Sequence, residues 1–369
     1  MQRPRSWRSR RRNLKLQAAQ AAAPAVPARR VLLPGAFLLI LLLLLYFSAR
    51  RETMVSRTEF LMDTLIEVRL YDQAWHGQDL KEELQDVFSL LKEIEAASNP
   101  YKPGTGNLYE LNQAGGEPFS VSPHIFRQLQ AALPFSLATE GDYNLALLNA
   151  ESLWKKAQEE GQLPSGEALR ESLKAASPQG IILNEGSGSV RLLPGMSLDL
   201  GSVAKGYALD QAYQHLKKKV SGALINAGGN IMALGAPEGR EGYRVALQDP
   251  LDPKGILGEV LLTDHMAVST SGSYNRFYRI QDQSYSHILS GKTGYPGDRY
   301  LAVTVLTDQG IYSDILSTLL FLLPVEEGLE LVKEMGISAE VLYLTLDRKI
   351  LATEGFPITY ANNLPYQLL

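Results

Sequence analysis

The densest run of potentially reactive residues lies at positions 199–210, where two acids, two glycines, a serine and a lysine share twelve positions. The alternating segment 197–200 predicts the end of a strand, and later apolar residues at helical spacing predict a helix, with Gly201–Ser202 as its turn and N-cap. A helix start attracts anions such as a pyrophosphate, because its N–H groups are unpaired and its dipole is positive there. Lys205 would add a charge in the first turn. A capped helix with a solvated lysine explains the same residues.

Asp314 and Thr318 form a second candidate pair. They are four positions apart, so on a helix they face the same way, and Ser313 is the expected N-cap. A carboxylate and a hydroxyl are hard oxygen ligands that suit Mg²⁺. The alternative is structural, since acids are common in first helical turns and a helical threonine often bonds to its own backbone.

A third group of polar residues occupies 268–278 and 285–296, where hydroxyls, glycines and His287 fall between apolar segments. Loops of this composition bind ligands more often than they fill cores. His287 could be a buried structural histidine, but the nearby Thr293 and Gly294 indicate a ligand contact about as strongly. No nucleophile-elbow sequence marks a serine for a catalytic triad.

The elements that position these residues are interleaved helices and strands. Residues 67–70 alternate as a half-buried strand should, and residues 80–97 carry apolar side chains at helical spacing. Further helices are predicted at 108–111, 123–139 and 167–175, after Ser202 and from Ser313, and further strands around Ile181, Val190, Leu224, Tyr243, Val260 and Val303. Residues 151–178 are a polar insertion with little other signal. Since strands and helices do not alternate regularly, the sequence predicts an α+β fold rather than a doubly wound sheet.

The N-terminus predicts a membrane anchor. Residues 1–30 form a basic tail that contains nine Lys or Arg, and residues 31–48 are uncharged, half leucine and long enough to span a bilayer. The positive-inside rule places the tail in the cytoplasm, residues 49–56 as a linker, and residues 57–369 outside the cytoplasm. A cleaved signal peptide is the alternative, but Phe47 stands where cleavage needs a small residue.

Composition excludes several classes of function. Residues 52–369 contain 25 basic and 40 acidic residues, a formal charge of −15, so no basic surface for nucleic acid is expected. The chain has no cysteine, which excludes disulfides, thiolate catalysis and cysteine-ligated metals.

The three groups of residues together resemble the FAD:protein FMN transferases, the ApbE family. The motifs that carry the resemblance, in order, are 199–208, 226–230, 269–274, 286–296 and 314–318, with weaker matches at 60–64, 99–103, 108–112 and 139–144. Five ordered motifs are far more specific than any single one. The resemblance covers about residues 57–365 and implies an ApbE-like fold of mixed sheets and helices, with the FAD site between two lobes.

This resemblance implies roles for individual residues. Members of the family bind FAD and Mg²⁺, attach FMN through a phosphoester to a Thr or Ser of a target protein, and release AMP. The Ser202 backbone carbonyl, the Asp314 carboxylate and the Thr318 hydroxyl would bind Mg²⁺. Residues expected to contact FAD are Asp199, Lys205, His287, Thr293 and Gly294 near the pyrophosphate, Met62 and Tyr101 against the flavin nucleotide, and Asp142, Tyr143 and Asn144 through their backbone.

Four departures from the family pattern affect these expectations. The family usually has Gly at position 63, Asp at 144, Asp or Glu at 230 and Asp-Pro at 290–291, where this chain has Asp63, Asn144, Asn230 and Ser290–Gly291. Losing carboxylates near the nucleotide could change its affinity or the binding of metal. The Asp314 and Thr318 pair is unchanged.

Phosphoryl transfer explains the residue types, because it needs neutralised phosphate charge and an aligned nucleophile. Either Asp314 or His287 could accept the proton of the target hydroxyl. The acceptor would be a separate redox protein in or at the membrane. The alternatives are an Mg²⁺-dependent FAD pyrophosphatase that makes FMN and AMP, a non-catalytic FAD-binding protein, or a structural surface protein.

Overall fold

The structure, a computed structural model, describes residues 40–41, 52–73, 80–273, 276–360 and 364–369. Residues 52–369 form one compact unit and residues 1–51 another. Of the predicted anchor, only Ile40 and Leu41 are described, and both are helical. Within the described ranges no helix combines the length and the apolar character that crossing a membrane requires. The first strand starts at Glu52, inside the segment 49–56 that the sequence predicts as a linker.

A nine-stranded sheet forms the centre of the larger unit. Its order is β1 (Glu52–Leu61), β2 (Thr64–Gln73), β6 (Gly222–Ala227), β7 (Asn230–Gly235), β10 (Met266–Gly272), β13 (Tyr300–Thr307), β14 (Glu340–Thr345), β15 (Ile350–Ala352) and β17 (Tyr366–Leu368). Three smaller sheets accompany it: β3 (Phe119–Ser120) with β5 (Ser189–Leu192) and β4 (Ile181–Asn184); β16 (Ile358–Tyr360) with β9 (Asp252–Leu262) and β8 (Tyr243–Asp249); and β11 (Phe277–Ile280) with β12 (Gln283–Ser286). Among the strand pairs that the described residues form in the large sheet, only β15 with β17, at one edge, is parallel.

Eight α-helices are present in the described residues: α1 (Leu80–Ser98), α2 (Leu108–Gln113), α3 (Pro123–Ala138), α4 (Leu148–Glu160), α5 (Gly166–Leu173), α6 (Ala204–Leu216), α7 (Gly310–Leu322) and α8 (Val325–Glu334). The predicted α+β class is therefore confirmed. α4, with buried side chains at helical spacing, occupies much of the segment that the sequence presented as an uninformative insertion.

The two faces of the large sheet bury different cores. Side chains alternate between faces along a strand, so Met232 and Tyr343 join the helices in one apolar cluster, while Ala233 and Leu342 join β8 and β9 in another. The expected two lobes are in fact one compact unit with two cores, because both clusters share this sheet. The helical face carries the candidate site.

Helices α6 and α7 cross at two glycines. A Cβ on Gly206 would lie 2.1 Å from the Gly310 carbonyl oxygen, and one on Gly310 would lie 2.7 Å from the Gly206 carbonyl oxygen. Larger side chains would force the helices apart, since such contacts are well inside van der Waals distance. The close crossing brings the start of α6 against the first turns of α7.

Three local predictions are wrong. Residues 197–200 are not a strand, because the Leu198 backbone pairs with the Asn112 side chain. The Asp199 N–H donates to the Leu145 carbonyl, and the Leu200 carbonyl accepts from the next turn, at 203 and 204. Helix α6 has Val203 rather than Ser202 at its N-cap. Helix α7 starts at Gly310, three residues before the predicted cap at Ser313.

Candidate functional site

The α6–α7 crossing joins the first two predicted groups through one hydrogen bond. The Gly206 N–H, which in a continuous helix would donate to the carbonyl four residues back, donates to Asp314 Oδ2 at 2.9 Å. The Ser202 carbonyl is therefore available to another partner. The helix start and the carboxylate, 108 residues apart in the chain, thus form one site.

Asp314 is almost completely buried, with 3% exposure, so its charge requires partners. The amide of Asn230 donates to Oδ1 at 2.7 Å, and the Lys205 ammonium lies 3.5 Å from the same oxygen. Lys205 also donates to the Gly201 carbonyl at 2.9 Å. The carboxylate is fixed in position, and a carboxylate offers about four lone-pair directions, so both oxygens can accept a further ligand.

The residues present fit a hard divalent cation. Three oxygen atoms that could bind a metal belong to this crossing: one each from the Asp314 carboxylate, the Ser202 carbonyl and the Thr318 hydroxyl. Thr318 Oγ1 is 3.3 Å from Ser271 Oγ and bonds only weakly to the Asp314 carbonyl, at 3.4 Å. Mg²⁺ prefers oxygen ligands and keeps several waters, so this donor set suits it. Asn230, in place of the usual acid, contributes a hydrogen bond and no negative charge.

Serine hydroxyls connect α7 to the sheet below it. Ser269 and Ser313 are fully buried with their oxygens 2.8 Å apart, and Ser271 Oγ lies 3.0 Å from Ser317 Oγ. Ser313 donates to the Gly310 carbonyl, so its side chain serves this contact rather than the predicted cap. The helix that carries Asp314 therefore has a defined height and rotation on β10.

A second carboxylate caps α7. Asp210 accepts from the backbone N–H groups of Gly310 at 2.6 Å and Ile311 at 2.9 Å, which satisfies the start of the helix. Burial raises the pKa of Asp210 to about 6, against the opposing effect of these two hydrogen bonds. Asp210 is the last residue of the first group, 199–210, and its side chain joins α6 to α7.

His287 is neutral and has a fixed tautomer. Nδ1 lies 3.0 Å from the Arg276 carbonyl, and because a carbonyl can only accept, Nδ1 carries the proton. Burial lowers the pKa of His287 to about 4, and the positive charges of Arg276 and Lys205 act in the same direction. Its Nε2 consequently presents a lone pair.

The turn that contains Met62 and Asp63 is connected to His287 through Arg276, which contacts both. Both residues have positive φ, 50° and 61°, which is strained for residues with a Cβ. Arg276 donates to the Asp63 carbonyl at 2.7 Å, and Glu95 accepts from the Met62 N–H at 2.7 Å. The family's usual glycine at position 63 would adopt this backbone more easily, and here side-chain contacts stabilise it instead.

Tyr101 lies in an exposed loop, with 52% of its surface accessible. Its hydroxyl accepts a hydrogen bond from Lys155, whose ammonium lies over the ring, 4.3 Å from the ring centroid. Burial raises the pKa of Tyr101, and the charges of Asp199 and Glu151 add to this effect. The assignment of Tyr101 and Asp199 to one FAD site stays a prediction.

The loop at 141–144 is connected to the 290–294 turn. The Asp142 carbonyl accepts from the Gly291 N–H at 2.8 Å, and a Cβ on Gly291 would lie 1.9 Å from the Gly141 carbonyl oxygen. The Asn144 side chain bonds to the protein through both of its polar atoms.

The N–H groups of Asp142 and Tyr143 donate to Thr139, so they are not available to a nucleotide as expected. The Tyr143 hydroxyl instead meets Ser202 Oγ at 3.0 Å. The carbonyl groups of these residues can still accept bonds, so a backbone contact to FAD stays a prediction for Asp142, Tyr143 and Asn144.

Sequence analysis missed the roles of Trp154 and Lys155 in α4 and of Arg276, which directly precedes β11. Trp154 is fully buried, stacks on Tyr278 and donates its indole N–H to the Gly294 carbonyl at 2.8 Å, which fixes the predicted 293–294 turn. Lys155 contacts Tyr101, and Arg276 contacts the Met62–Asp63 turn. The helical spacing of Ala150, Trp154 and Ala157 (i, i+4, i+7) was the signal that could have identified α4.

Comparison with known proteins gives a consistent result. The model described as the ApbE family matches residues 62–342. A FAD:protein FMN transferase of Klebsiella pneumoniae is 32% identical over 301 residues, which cover 80% of this chain and 90% of that protein. One of Treponema pallidum is 30% identical over 318 residues, covering 81% and 87%.

Solved structures share the fold. The ApbE protein of Thermotoga maritima has a TM-score of 0.74 at 24% identity, with 82% of this chain and 97% of that chain covered. The flavin transferase ApbE of Vibrio cholerae has a TM-score of 0.72 at 23% identity, with 84% and 100% covered.

Proposed function

This chain belongs to the ApbE family and is a transferase, and we propose that it moves FMN from FAD to a Thr or Ser hydroxyl of an acceptor protein in an Mg²⁺-dependent reaction. The oxygen of the acceptor attacks the phosphorus of the FMN half, and the bond from that phosphorus to AMP breaks. FMN remains attached by a phosphoester, and AMP is released.

One observation carries this proposal: the buried Asp314 carboxylate meets the start of α6, with the Gly206 N–H, the Asn230 amide and Lys205 around it. A helix start and a lysine attract the pyrophosphate, and a fixed carboxylate attracts a cation. A site that only stored FAD would have no need for a buried carboxylate beside the pyrophosphate.

The metal would be bound by Asp314, the Ser202 carbonyl and Thr318. Bound Mg²⁺ would supply neutralisation of the charge that builds up on the phosphate oxygens. The chain's own residues do the rest of the positioning. Lys205 would bind a phosphate oxygen in place of part of its contact with Asp314, and Asn230 would keep the carboxylate oriented.

His287 suits the role of proton acceptor better than Asp314 does. Its Nε2 lone pair is free, whereas both Asp314 oxygens already accept hydrogen bonds from buried donors. A pKa of about 4 makes the free imidazole a weak base, and the negative charge of bound FAD would raise that pKa toward the working range. His287 would then take the proton as the hydroxyl attacks.

The N-terminal sequence supports a membrane location for this activity. An uncharged leucine-rich segment after nine basic residues would anchor the chain with its catalytic unit outside the cytoplasm. The acceptor would then be an extracytoplasmic or membrane redox protein.

The test is to incubate the full chain with FAD, Mg²⁺ and an acceptor domain, and to measure covalent flavin fluorescence and AMP release. We expect labelled acceptor and AMP in equal amounts, and no labelling after chelation of the metal. AMP release without labelling would make the protein an FAD pyrophosphatase. Stable FAD binding without AMP release would make it a binding protein.

A further inference from the structure

The loop residue Tyr101 is connected to a helix that the sequence motifs do not include. Tyr101 follows an Asx turn in which Asn99 Oδ1 accepts from the N–H groups of Tyr101, at 2.8 Å, and Lys102, at 3.1 Å. These bonds fix the backbone, but an exposed tyrosine side chain can still rotate. Lys155 supplies the missing restraint, since it donates to the Tyr101 hydroxyl and lies over its ring.

Lys155 is itself held firmly. It follows Trp154, which is fully buried and bonded to Gly294, so α4 cannot shift without disturbing that turn. Glu151 lies one turn earlier on the same helix. Burial lowers the pKa of Lys155, but the hydrogen bond to Tyr101 and the nearby acidic groups outweigh this effect and raise the pKa, so the ammonium is charged.

Tyr101 is accessible to a planar ligand. Its side chain is 52% exposed, and the hydrogen bond from Lys155 restrains the ring through its hydroxyl, with the ammonium 4.3 Å from the ring centroid. The neighbouring Trp154 bonds to the Gly294 carbonyl. Helix α4 therefore contacts both Tyr101 and the 293–294 turn, which are assigned to the same FAD site.

We propose that Lys155 is a positioning residue that fixes Tyr101 for stacking against the isoalloxazine ring, which sets the affinity for FAD. The inference rests on the proposed function, because it needs FAD as the ligand. Lys155 makes no contact with the reacting phosphate in this arrangement, so its loss affects binding of FAD more than the chemical step.

The experiment titrates the full chain with FAD and follows the quenching of flavin fluorescence, which an aromatic ring in stacking contact causes. For Lys155→Gln we expect a Kd about threefold to tenfold higher and weaker quenching at saturation, the range for one cation–ring contact. Steady-state kinetics should show the change in KM for FAD rather than in kcat. Lys155→Arg, which keeps a cation, should restore most of the affinity.

The matched control is Lys156→Gln on the neighbouring position of α4. Lys156 is exposed and pairs only with Glu160 at 3.6 Å among the contacts described, so its loss should leave Kd unchanged. A double-mutant cycle then separates positioning from direct contact. In the Tyr101→Ala background Lys155→Gln should have no further effect, because the residue on which it acts is gone.

Two results would overturn the inference alone: wild-type affinity and quenching in Lys155→Gln, or an undiminished effect of Lys155→Gln in the Tyr101→Ala background. The first would mean that the contact is irrelevant, and the second that Lys155 contacts FAD directly. Failure of the wild-type protein to bind FAD would overturn the proposed function together with this inference.

Discussion

The two ends of the candidate site are built differently. The end proposed to bind the phosphates of FAD, here called the phosphate end, contains Asp314. This residue is 3% exposed and bonded to Gly206 and Asn230 in a crossing of two helices. The end proposed to bind the isoalloxazine ring, here called the ring end, contains Tyr101, which is 52% exposed, and Asp63, which lies in a strained turn. Both are held by long side chains from other elements, Lys155 and Arg276. Packing fixes one end and polar side-chain contacts fix the other.

This difference separates catalysis from affinity. Transition-state stabilisation needs charges fixed within a small distance, which a buried, fully bonded carboxylate provides. Binding a large flat ring needs an accessible surface, and a few contacts tune its strength. We therefore expect substitutions at the buried end to lower kcat or stability, and substitutions at the ring end to change the KM for FAD.

The largest effect should come from Asp314→Ala. It removes a proposed metal ligand and leaves the Gly206 N–H and the Asn230 amide without their acceptor, so we expect transfer to fall by about 10³-fold or more. Transfer assays combined with Mn²⁺ binding would measure both losses. Ser202→Ala is the matched control, because it keeps the backbone carbonyl and should cost less than about threefold. Normal labelling by Asp314→Ala would place the metal elsewhere.

His287→Gln should lower kcat by about 10²-fold, the range for loss of a general base, with little change in the KM for FAD. Its wild-type titration provides a second measurement. Since the pKa of free His287 is about 4, kcat/KM should be level from about pH 5.5 to about 7, where an ordinary histidine would titrate. A decline centred near pH 6.5 would contradict the lowered pKa of the His287 imidazole.

The buried end was the more predictable from sequence. Asp314, Thr318 and Lys205 are in short motifs whose residue types fit phosphate and metal chemistry, and the α+β class followed from periodicity. The precise start of each helix was not predictable, because Ser202 bonds to Tyr143 and Ser313 to Ser269, partners 59 and 44 residues away. Local capping rules cannot register such contacts.

The ring end was less predictable, for a physical reason. Lys155 and Arg276 act through long side chains that reach residues 54 and more than 200 positions away. Lys155 has no motif beside it, and a lysine in a polar segment is usually solvated, whereas Arg276 follows the 269–274 motif but has no expected role in it. Only the three-dimensional packing of Trp154, which orients α4, makes Lys155 a partner of Tyr101.

Asp210→Asn tests the rigidity of the buried end through pH. The pKa of Asp210 is about 6 in the folded protein and 3.8 in the reference state, so the native state binds more protons between these values. The free energy of unfolding should accordingly fall as pH rises from about 4 to about 6, by up to about 3 kcal/mol, and this component should vanish in Asp210→Asn. Urea unfolding across this range measures it, with the exposed Asp282→Asn as control. An unchanged slope in Asp210→Asn would assign the effect to other groups.

Asp63→Gly should have the smallest effect and tests the ring end directly. Glycine relieves the positive φ of 61°, but it loses the exposed ion pair with Arg276, whose closest atoms are 3.7 Å apart. Exposed pairs contribute little, and glycine adds freedom to the unfolded chain, so stability should change by less than about 1 kcal/mol. Arg276 still bonds to the Asp63 carbonyl, so the turn and the FAD Kd should be preserved within about twofold. A large loss of FAD affinity would mean that the Asp63 carboxylate itself contacts the nucleotide, and the ring end would then depend on fixed charge as the phosphate end does.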